Sequence, residues 1–243
     1  MSARVTLATA KRVLLQLRHD PRTIALLLVV PCVLVTLIKY VFAGSDVFDR
    51  IGAPLLGVFP LLSMFLVTSI AMLRERTTGT LERLLTMPVG KLDLLIGYAL
   101  AFAAIAVAQA ALLSVVAFGA LDLHVDGVKW GVVLFATANA LLGMSLGLFV
   151  SAFARTEFQA VQFLPAFILP QILLCGLVTP RGDMSRVLQI TSWAAPMTYA
   201  YGSLDHVARG EYGATLAGYA IAVAGFTLAA LVLGATTLRR RTA

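Results

Sequence analysis

Six apolar runs, each long enough to cross a lipid bilayer as a helix, constrain this sequence more than any other feature. They occupy residues 23–43, 51–73, 92–121, 130–153, 158–178 and 215–238. One crossing takes about 20 consecutive apolar residues. Of the 243 residues, 60% are hydrophobic and only 13% are charged, which is too little charge to cover a soluble domain. We therefore predict one all-α membrane domain, residues 1–243, with six transmembrane helices.

The lysine and arginine residues indicate how these helices cross the membrane. With the N-terminus inside, thirteen of the 19 lie on the inner side: Arg4, Lys11, Arg12, Arg18, Arg22, Arg74, Arg76, Arg83, Lys91, Arg155, Arg239, Arg240 and Arg241. The opposite side keeps Lys39, Arg50, Lys129, Arg181, Arg186 and Arg209. Cytoplasmic loops carry the excess of basic residues, so we predict that both termini are cytoplasmic. The same rule explains the net charge of +7 without a nucleic-acid partner.

Residues 1–22 precede the first apolar run and combine basic with apolar side chains. In residues 5–18, Val13, Leu14 and Leu17 are apolar, whereas Lys11 and Arg12 are basic. This pattern predicts a helix on the inner membrane surface that turns into the first span near residue 20; a disordered basic tail is the alternative. The apolar run that follows exceeds a usual signal core, so we interpret it as a retained anchor rather than a cleaved signal peptide.

Signatures of enzyme chemistry are weak in this sequence. His19, His124 and His206 lie in different connections without metal-ligand spacing, and no phosphate-binding G-x-x-x-x-G-K-[ST] run occurs. We therefore predict that the chain is not an enzyme and has no catalytic, cofactor-binding or metal site. The main polar groups at membrane depth are amides, which we interpret as interhelical hydrogen bonds: Gln109, Asn139, Gln162 and Gln171.

Residues 74–91, RERTTGTLERLLTMPVGK, form a polar and basic stretch between the second and third runs. Hydroxyl residues at 77, 78 and 80 can cap a helix, and Leu81, Leu84 and Leu85 recur at helical spacing. Pro88 and Gly90 then end the segment. Two helical turns are not stable alone in water. The helix is therefore either a connector on the inner leaflet or a docking element for a soluble partner.

This stretch resembles the corresponding loop of the ABC-2 type permeases, the membrane halves of ABC exporters. That loop reads like E-R-E-x-G-T-L-E-x-L-L-x-x-P-V, and residues 74–89 match most positions, with Thr77 and Thr78 departing from it. A second similarity follows the fifth run, where a glycine and a proline at 176 and 180 lead to the P-x-T-Y pattern at 196–199. Cys175 stands where the family commonly has serine. With the surface helix and the six spans included, the resemblance extends over nearly the whole chain.

The resemblance implies roles for two groups of residues. The coupling helix that contacts the nucleotide-binding subunit would include Glu75, Gly79, Thr80, Leu81, Glu82, Leu84 and Leu85. Short external helices in residues 179–203 would dip into the outer leaflet and include Met184, Trp193, Pro196 and Tyr199. An ordinary outer loop that caps the bundle is the alternative for this second region.

The family also implies a function and an assembly. The chain resembles the permease subunit of a bacterial exporter of the daunorubicin-resistance type, in the cytoplasmic membrane, which moves a hydrophobic or amphipathic drug, antibiotic or lipid-like substrate. Export of a polysaccharide or lipid precursor is the alternative; an autonomous carrier and a membrane-embedded enzyme or scaffold are further ones. ATP and Mg²⁺ would be bound by a separate ATPase subunit, and a second permease copy, identical or related, would complete the pathway. Small residues suited to close helix contact are Gly143, Gly147 and the alanine-rich segment 101–111.

Overall fold

The fold is built from α-helices in a computed structural model that describes residues 3–80 and 90–237. No β-strand occurs among these residues. The first half of the chain forms α1 (Ala3–Arg18), α2 (Pro21–Val41), α3 (Val47–Thr77), α4 (Lys91–Val115) and α5 (Lys129–Val150). A π-helical turn, Val116–Ala120, extends α4.

The second half contains shorter elements. The fifth apolar run forms α6 (Glu157–Phe163), a π-helical turn (Leu164–Ile168) and α7 (Leu169–Leu174). A 3₁₀ turn (Arg181–Asp183), α8 (Arg186–Ser192) and α9 (Pro196–Ala208) precede α10 (Ala214–Thr237). In the described ranges, six helical segments are long and apolar enough to cross a membrane, which confirms the predicted all-α architecture with six spans. The end of the bundle that carries α1 is called the inner end here, and the end that carries α8 the outer end.

Two spans differ from the runs seen in the sequence. The helix of the second span continues through Arg74 to Thr77, four residues that the hydropathy pattern places in the following loop. Burial explains this extension, because Glu75 within it is only 9% exposed. The fifth span is interrupted where Pro165 and Pro170, which lack an amide hydrogen, prevent a regular hydrogen-bond ladder.

The core is centred on α3 and α5, which cross in close contact because α5 offers glycines. A Cβ atom on Gly143 would lie 2.1 Å from the carbonyl oxygen of Leu61, and one on Gly147 would lie 2.4 Å from that of Phe65. The Thr68 hydroxyl also donates to the carbonyl of Met144 at 3.2 Å. These glycines therefore serve packing within one chain.

Three of the four amide side chains form hydrogen bonds between helices, as predicted. Gln109 Nε2 donates to the carbonyl oxygen of Leu27 at 3.0 Å and also reaches the hydroxyl of Ser63. Asn139 Nδ2 donates to the carbonyl of Ala200 at 2.8 Å. The Gln171 side-chain oxygen accepts from the amide of residue 197 at 3.2 Å. Gln162, the fourth amide of this prediction, is exposed on the fifth span.

The peripheral spans leave much of their surface uncovered. In α2, the fifth span and α10, only 17% of the residues in the membrane-crossing stretch are buried within the protein. The corresponding share is 61% in α3 and in α5. The apolar character of these exposed faces fits lipid or a second membrane subunit as the neighbour.

Candidate functional site

Helix α1 packs one face on α4 at the inner end of the bundle. Thr6, Thr9 and Val13 are buried in this contact. Gly97 of α4 permits the approach, because a Cβ atom there would lie 2.6 Å from the Cβ of Thr9. The predicted surface helix is thus also docked on the protein, while apolar side chains such as Leu7, 63% exposed, remain free to meet the membrane.

Arg12 of α1 joins the inner ends of α3 and α4. One of its terminal nitrogens lies 3.4 Å from Glu75 Oε1, and the other donates to the hydroxyl of Tyr98. The Glu75 side chain is 11% exposed. Glu75, predicted to belong to the coupling helix, therefore points into the protein and toward α1 in this conformation.

The turn after α3 contains the first residues of the predicted coupling helix. Gly79 has φ +71°, a left-handed conformation that suits glycine, and the hydroxyls of Thr78 and Thr80 are 3.0 Å apart. The predicted contact residues Leu81, Glu82, Leu84 and Leu85 lie outside the described residues. Their role in binding a partner stays a prediction.

A bidentate ion pair links the second and fifth spans at the inner end. Arg74 donates to Glu157 through Nε at 2.7 Å and through a terminal nitrogen at 3.0 Å. Asp20 lies near Arg74 and caps α2 by accepting from the amide of Thr23 at 3.2 Å. Hydrogen bonds from Thr23, with a smaller effect of the Arg74 charge, lower the pKa of Asp20. The inner ends of three spans thus meet around Arg74.

An apolar groove rises from this charged cluster between α2, α3 and the fifth span. Its volume is about 550 Å³, and Asp20 and Arg74 line its inner end. The wall is aliphatic and aromatic over most of its length: Leu26, Val30, Leu34, Phe59, Leu62 and Leu66. Such a surface suits an apolar or amphipathic molecule. The residues that line a substrate path could not be predicted from the sequence, because the groove is assembled from three separate apolar runs.

The outer end carries the short helices predicted there. Trp193 follows α8 and is 53% exposed, and the Tyr199 hydroxyl of α9 donates to its carbonyl oxygen at 2.7 Å. Pro196 is buried as the first residue of α9, and Met184 is partly buried just before α8. Exposed apolar residues on α8, among them Val187, suit a position at the membrane surface.

Among residues 3–80 and 90–237, no three His, Cys, Asp or Glu side chains come together in a way that could hold a metal ion. The described part of the chain offers instead a charged inner end, an apolar groove and an outer end with interfacial aromatic residues. This combination, with six helices that are long and apolar enough to cross a bilayer, defines a multi-pass membrane protein.

Comparison with known proteins identifies the family of this membrane protein. The family model described as ABC-2 type transporter matches residues 4–207, and the chain belongs to this family. With its six apolar helices it is a multi-pass protein of the bacterial inner membrane.

Three relatives illustrate the similarity. The "Probable multidrug ABC transporter permease YbhR" of Escherichia coli is 30% identical over 148 residues, 60% of this chain and 39% of that protein. "Inner membrane transport permease YhhJ" of the same species is 27% identical over 135 residues, 55% and 36% of the two chains. "ABC transporter G family member 20" of Dictyostelium discoideum is 28% identical over 114 residues, 47% and 16%. The chain thus aligns with well under half the length of these relatives.

Proposed function

We propose that the chain is the membrane-spanning permease subunit of an ATP-driven exporter of hydrophobic or amphipathic compounds. The apolar groove carries this proposal, because it begins beside the predicted coupling loop and runs along three spans. Family membership and the multidrug permease names of two relatives support it.

The groove favours a lipid-like or drug-like substrate over a highly charged one. Its charged groups lie at the inner end, where Arg74 is already paired with Glu157. The hydroxyl residues that line it are already engaged, because Thr23 donates to Asp20 at the inner end and Ser63 is contacted by Gln109. Desolvation of a polysaccharide chain would not be compensated on such a wall.

ATP and Mg²⁺ belong, in this proposal, to a separate nucleotide-binding subunit that docks on residues 79–85. Motion of that segment would reach the bundle directly, because it continues from the buried end of α3. In this proposal Glu75 does not contact the ATPase subunit. Its ion pair with Arg12 holds the inner end of α3 against α1. Closure of two ATPase subunits would shift the inner parts of α1, α3, α4 and α5 together.

A second permease copy completes the pathway in this proposal. The groove opens to the side, and its neighbours α2 and the fifth span are the least buried spans together with α10. Two copies facing each other would enclose two grooves around one axis, so a homodimer is the simplest assembly. A heterodimer with a related permease would satisfy the same geometry.

The first experiment is affinity purification of the tagged chain from native membranes, followed by mass spectrometry. We expect recovery of a P-loop ATPase that is lost in Leu84→Asp, whereas Val187→Asp on the opposite end retains it. Transport of a lipophilic fluorescent dye is then measured in cells that express both subunits. We expect Leu34→Trp in the groove to reduce efflux, and Leu228→Trp on the exposed face of α10 to leave it unchanged.

Two outcomes would overturn the proposal. One is a chain that purifies without any ATPase and still moves the dye after reconstitution alone, as an autonomous carrier would. The other is normal export by both Leu84→Asp and Glu82→Lys with the partner present, which would remove the coupling role from residues 79–85.

A further inference from the structure

A second cavity, separate from the groove, lies at the outer end of the bundle. Its volume is about 330 Å³. It is enclosed by the start of α3, the segment after the fifth span, α9 and the first part of α10. The polar side chains that line it include Arg50, Arg181, Tyr201, Asp205 and Arg209.

Positive charge exceeds negative charge in this cavity. Arg209 donates to Asp205 at 2.9 Å, so these two side chains largely neutralise each other. Arg181 uses one nitrogen on the Ser192 hydroxyl at 3.1 Å and is otherwise unpaired. The side chain of Arg50 forms no hydrogen bond or ion pair with any residue of the described ranges. Two guanidinium groups from different elements therefore retain free donors at one cavity.

The other titratable groups that line the cavity add no negative charge near neutral pH. Burial, followed by the charge of Asp205, raises the pKa of Tyr201 to about 12, so its phenol stays a neutral donor. His206 also lines the cavity, and its Nε2 lies 3.6 Å from the Glu211 carboxylate. That carboxylate is not part of the cavity wall.

An interfacial aromatic residue beside the cavity suits a position at the depth of lipid headgroups. The guanidinium of Arg181 stacks on Trp193 with 4.2 Å between its central carbon and the ring centroid. Exposed tryptophan is typical of the membrane interface. Val178, 63% exposed, lines the same cavity and offers an apolar surface next to the charges. An amphiphile can thus place its headgroup inside and its chains along the bundle.

We propose that this outer cavity binds the phosphate group of a membrane amphiphile through Arg50 and Arg181. Guanidinium groups bind phosphate by paired, charge-assisted hydrogen bonds. The oxygens of a phosphate point in several directions, so they can accept from two guanidinium groups on different sides of the cavity. The inference rests on this cavity alone and stands whether or not the chain works with an ATPase.

Trp193 provides the readout. In a Trp130→Phe variant it is the remaining tryptophan, since the chain has two. The purified protein in neutral detergent is titrated with inorganic phosphate, with a short-chain phosphatidylglycerol and with a short-chain diacylglycerol that lacks phosphate. We expect a saturable fluorescence change with phosphatidylglycerol, a much weaker one with inorganic phosphate and none with diacylglycerol.

Substitutions locate the site. Arg50→Gln should weaken phosphatidylglycerol binding by roughly tenfold to a hundredfold, because it removes charge-assisted hydrogen bonds. Arg50→Lys should recover part of the loss. Arg186→Gln is the matched control, as this exposed arginine of α8 does not line the cavity. Arg181→Gln alters the surroundings of Trp193 directly, so its lipid binding is measured by native mass spectrometry.

Three results would overturn the proposal. Equal affinity for inorganic phosphate and phosphatidylglycerol would show a site for free phosphate and not for an amphiphile. Equal weakening by Arg186→Gln and Arg50→Gln would show attraction to the charged surface as a whole. Unchanged binding in Arg50→Gln, with the fold intact by thermal unfolding, would place any lipid elsewhere.

Discussion

Replacing Gly143 by alanine tests the packing on which the whole bundle depends. The new methyl carbon would lie 2.1 Å from the carbonyl oxygen of Leu61 and 2.7 Å from its carbonyl carbon. Ordinary contact begins at 3.4 Å, so α3 and α5 must separate locally by 1.3 Å, the difference of 3.4 and 2.1. Both obstructing atoms belong to the backbone of a helix, so no rotamer change can relieve the clash.

The magnitude follows from overpacking in a close-packed core. Such substitutions cost about 1–3 kcal/mol, and we expect the upper part of that range because a helix has to move. For a chain of this length, 1 kcal/mol corresponds to about 2–4 °C in melting temperature. Gly143→Ala should therefore melt roughly 4–12 °C below the parent protein.

Thermal unfolding in detergent can be followed through Cys175, which is 1% exposed and reacts with a thiol dye only after the fold opens. Cys32 is removed first as alanine, because it is partly exposed. Gly225→Ala on α10 is the matched control, since its new methyl group meets nothing within 4 Å. It should melt at or slightly above the parent, as alanine favours helix. Equal melting of Gly143→Ala and Gly225→Ala would refute the close contact.

Three further perturbations probe polar contacts. Glu75→Ala should lower stability by about 1–3 kcal/mol because it strands Arg12, and Arg12→Met with Glu75→Met should recover most of it in thermal unfolding; no recovery would contradict the pairing. Gln109→Leu, which removes its bonds to α2 and α3, should cost about 0.6–2 kcal/mol in the same assay, and an unchanged melting temperature would contradict those bonds. Asp20 has a folded-state pKa below its usual 3.8, so its contribution is present above that value and disappears as pH falls further. The difference in melting temperature between the parent and Asp20→Asn should therefore shrink below about pH 4; a constant difference would contradict a contribution of the ionised carboxylate.

Hydropathy predicted the number and approximate position of the spans, because the length and apolar character of each run alone determine whether it can cross a bilayer. Helix ends depended on information that the runs do not contain. The second span continues through Arg74 because its last turn is held by partners on α1 and α6, which are distant in sequence. The break in the fifth span could have been predicted from Pro165 and Pro170, which lie within its apolar run.

The candidate site was predictable only where it is local in sequence. The turn at Gly79 and the short outer helices follow from residues adjacent in the chain. The pair Arg74–Glu157 joins residues 83 positions apart, and no pattern in one sequence connects them. The outer cavity was hidden for the same reason, although its three arginines belong to the six basic residues that the positive-inside rule left on the minority side.

Helix α3 connects all of these features and determines how motion can pass between them. Its 31 residues span about 46 Å, with Glu75 near the inner end and Arg50 at the outer cavity. From Leu61 inward it is held against the glycines of α5, so this part can move only together with α5. Pro54 and Pro60 lie nearer the outer end, and each removes a backbone hydrogen bond. Helices kink most readily at proline, so a push at the inner end would change the angle at which Arg50 faces the outer cavity.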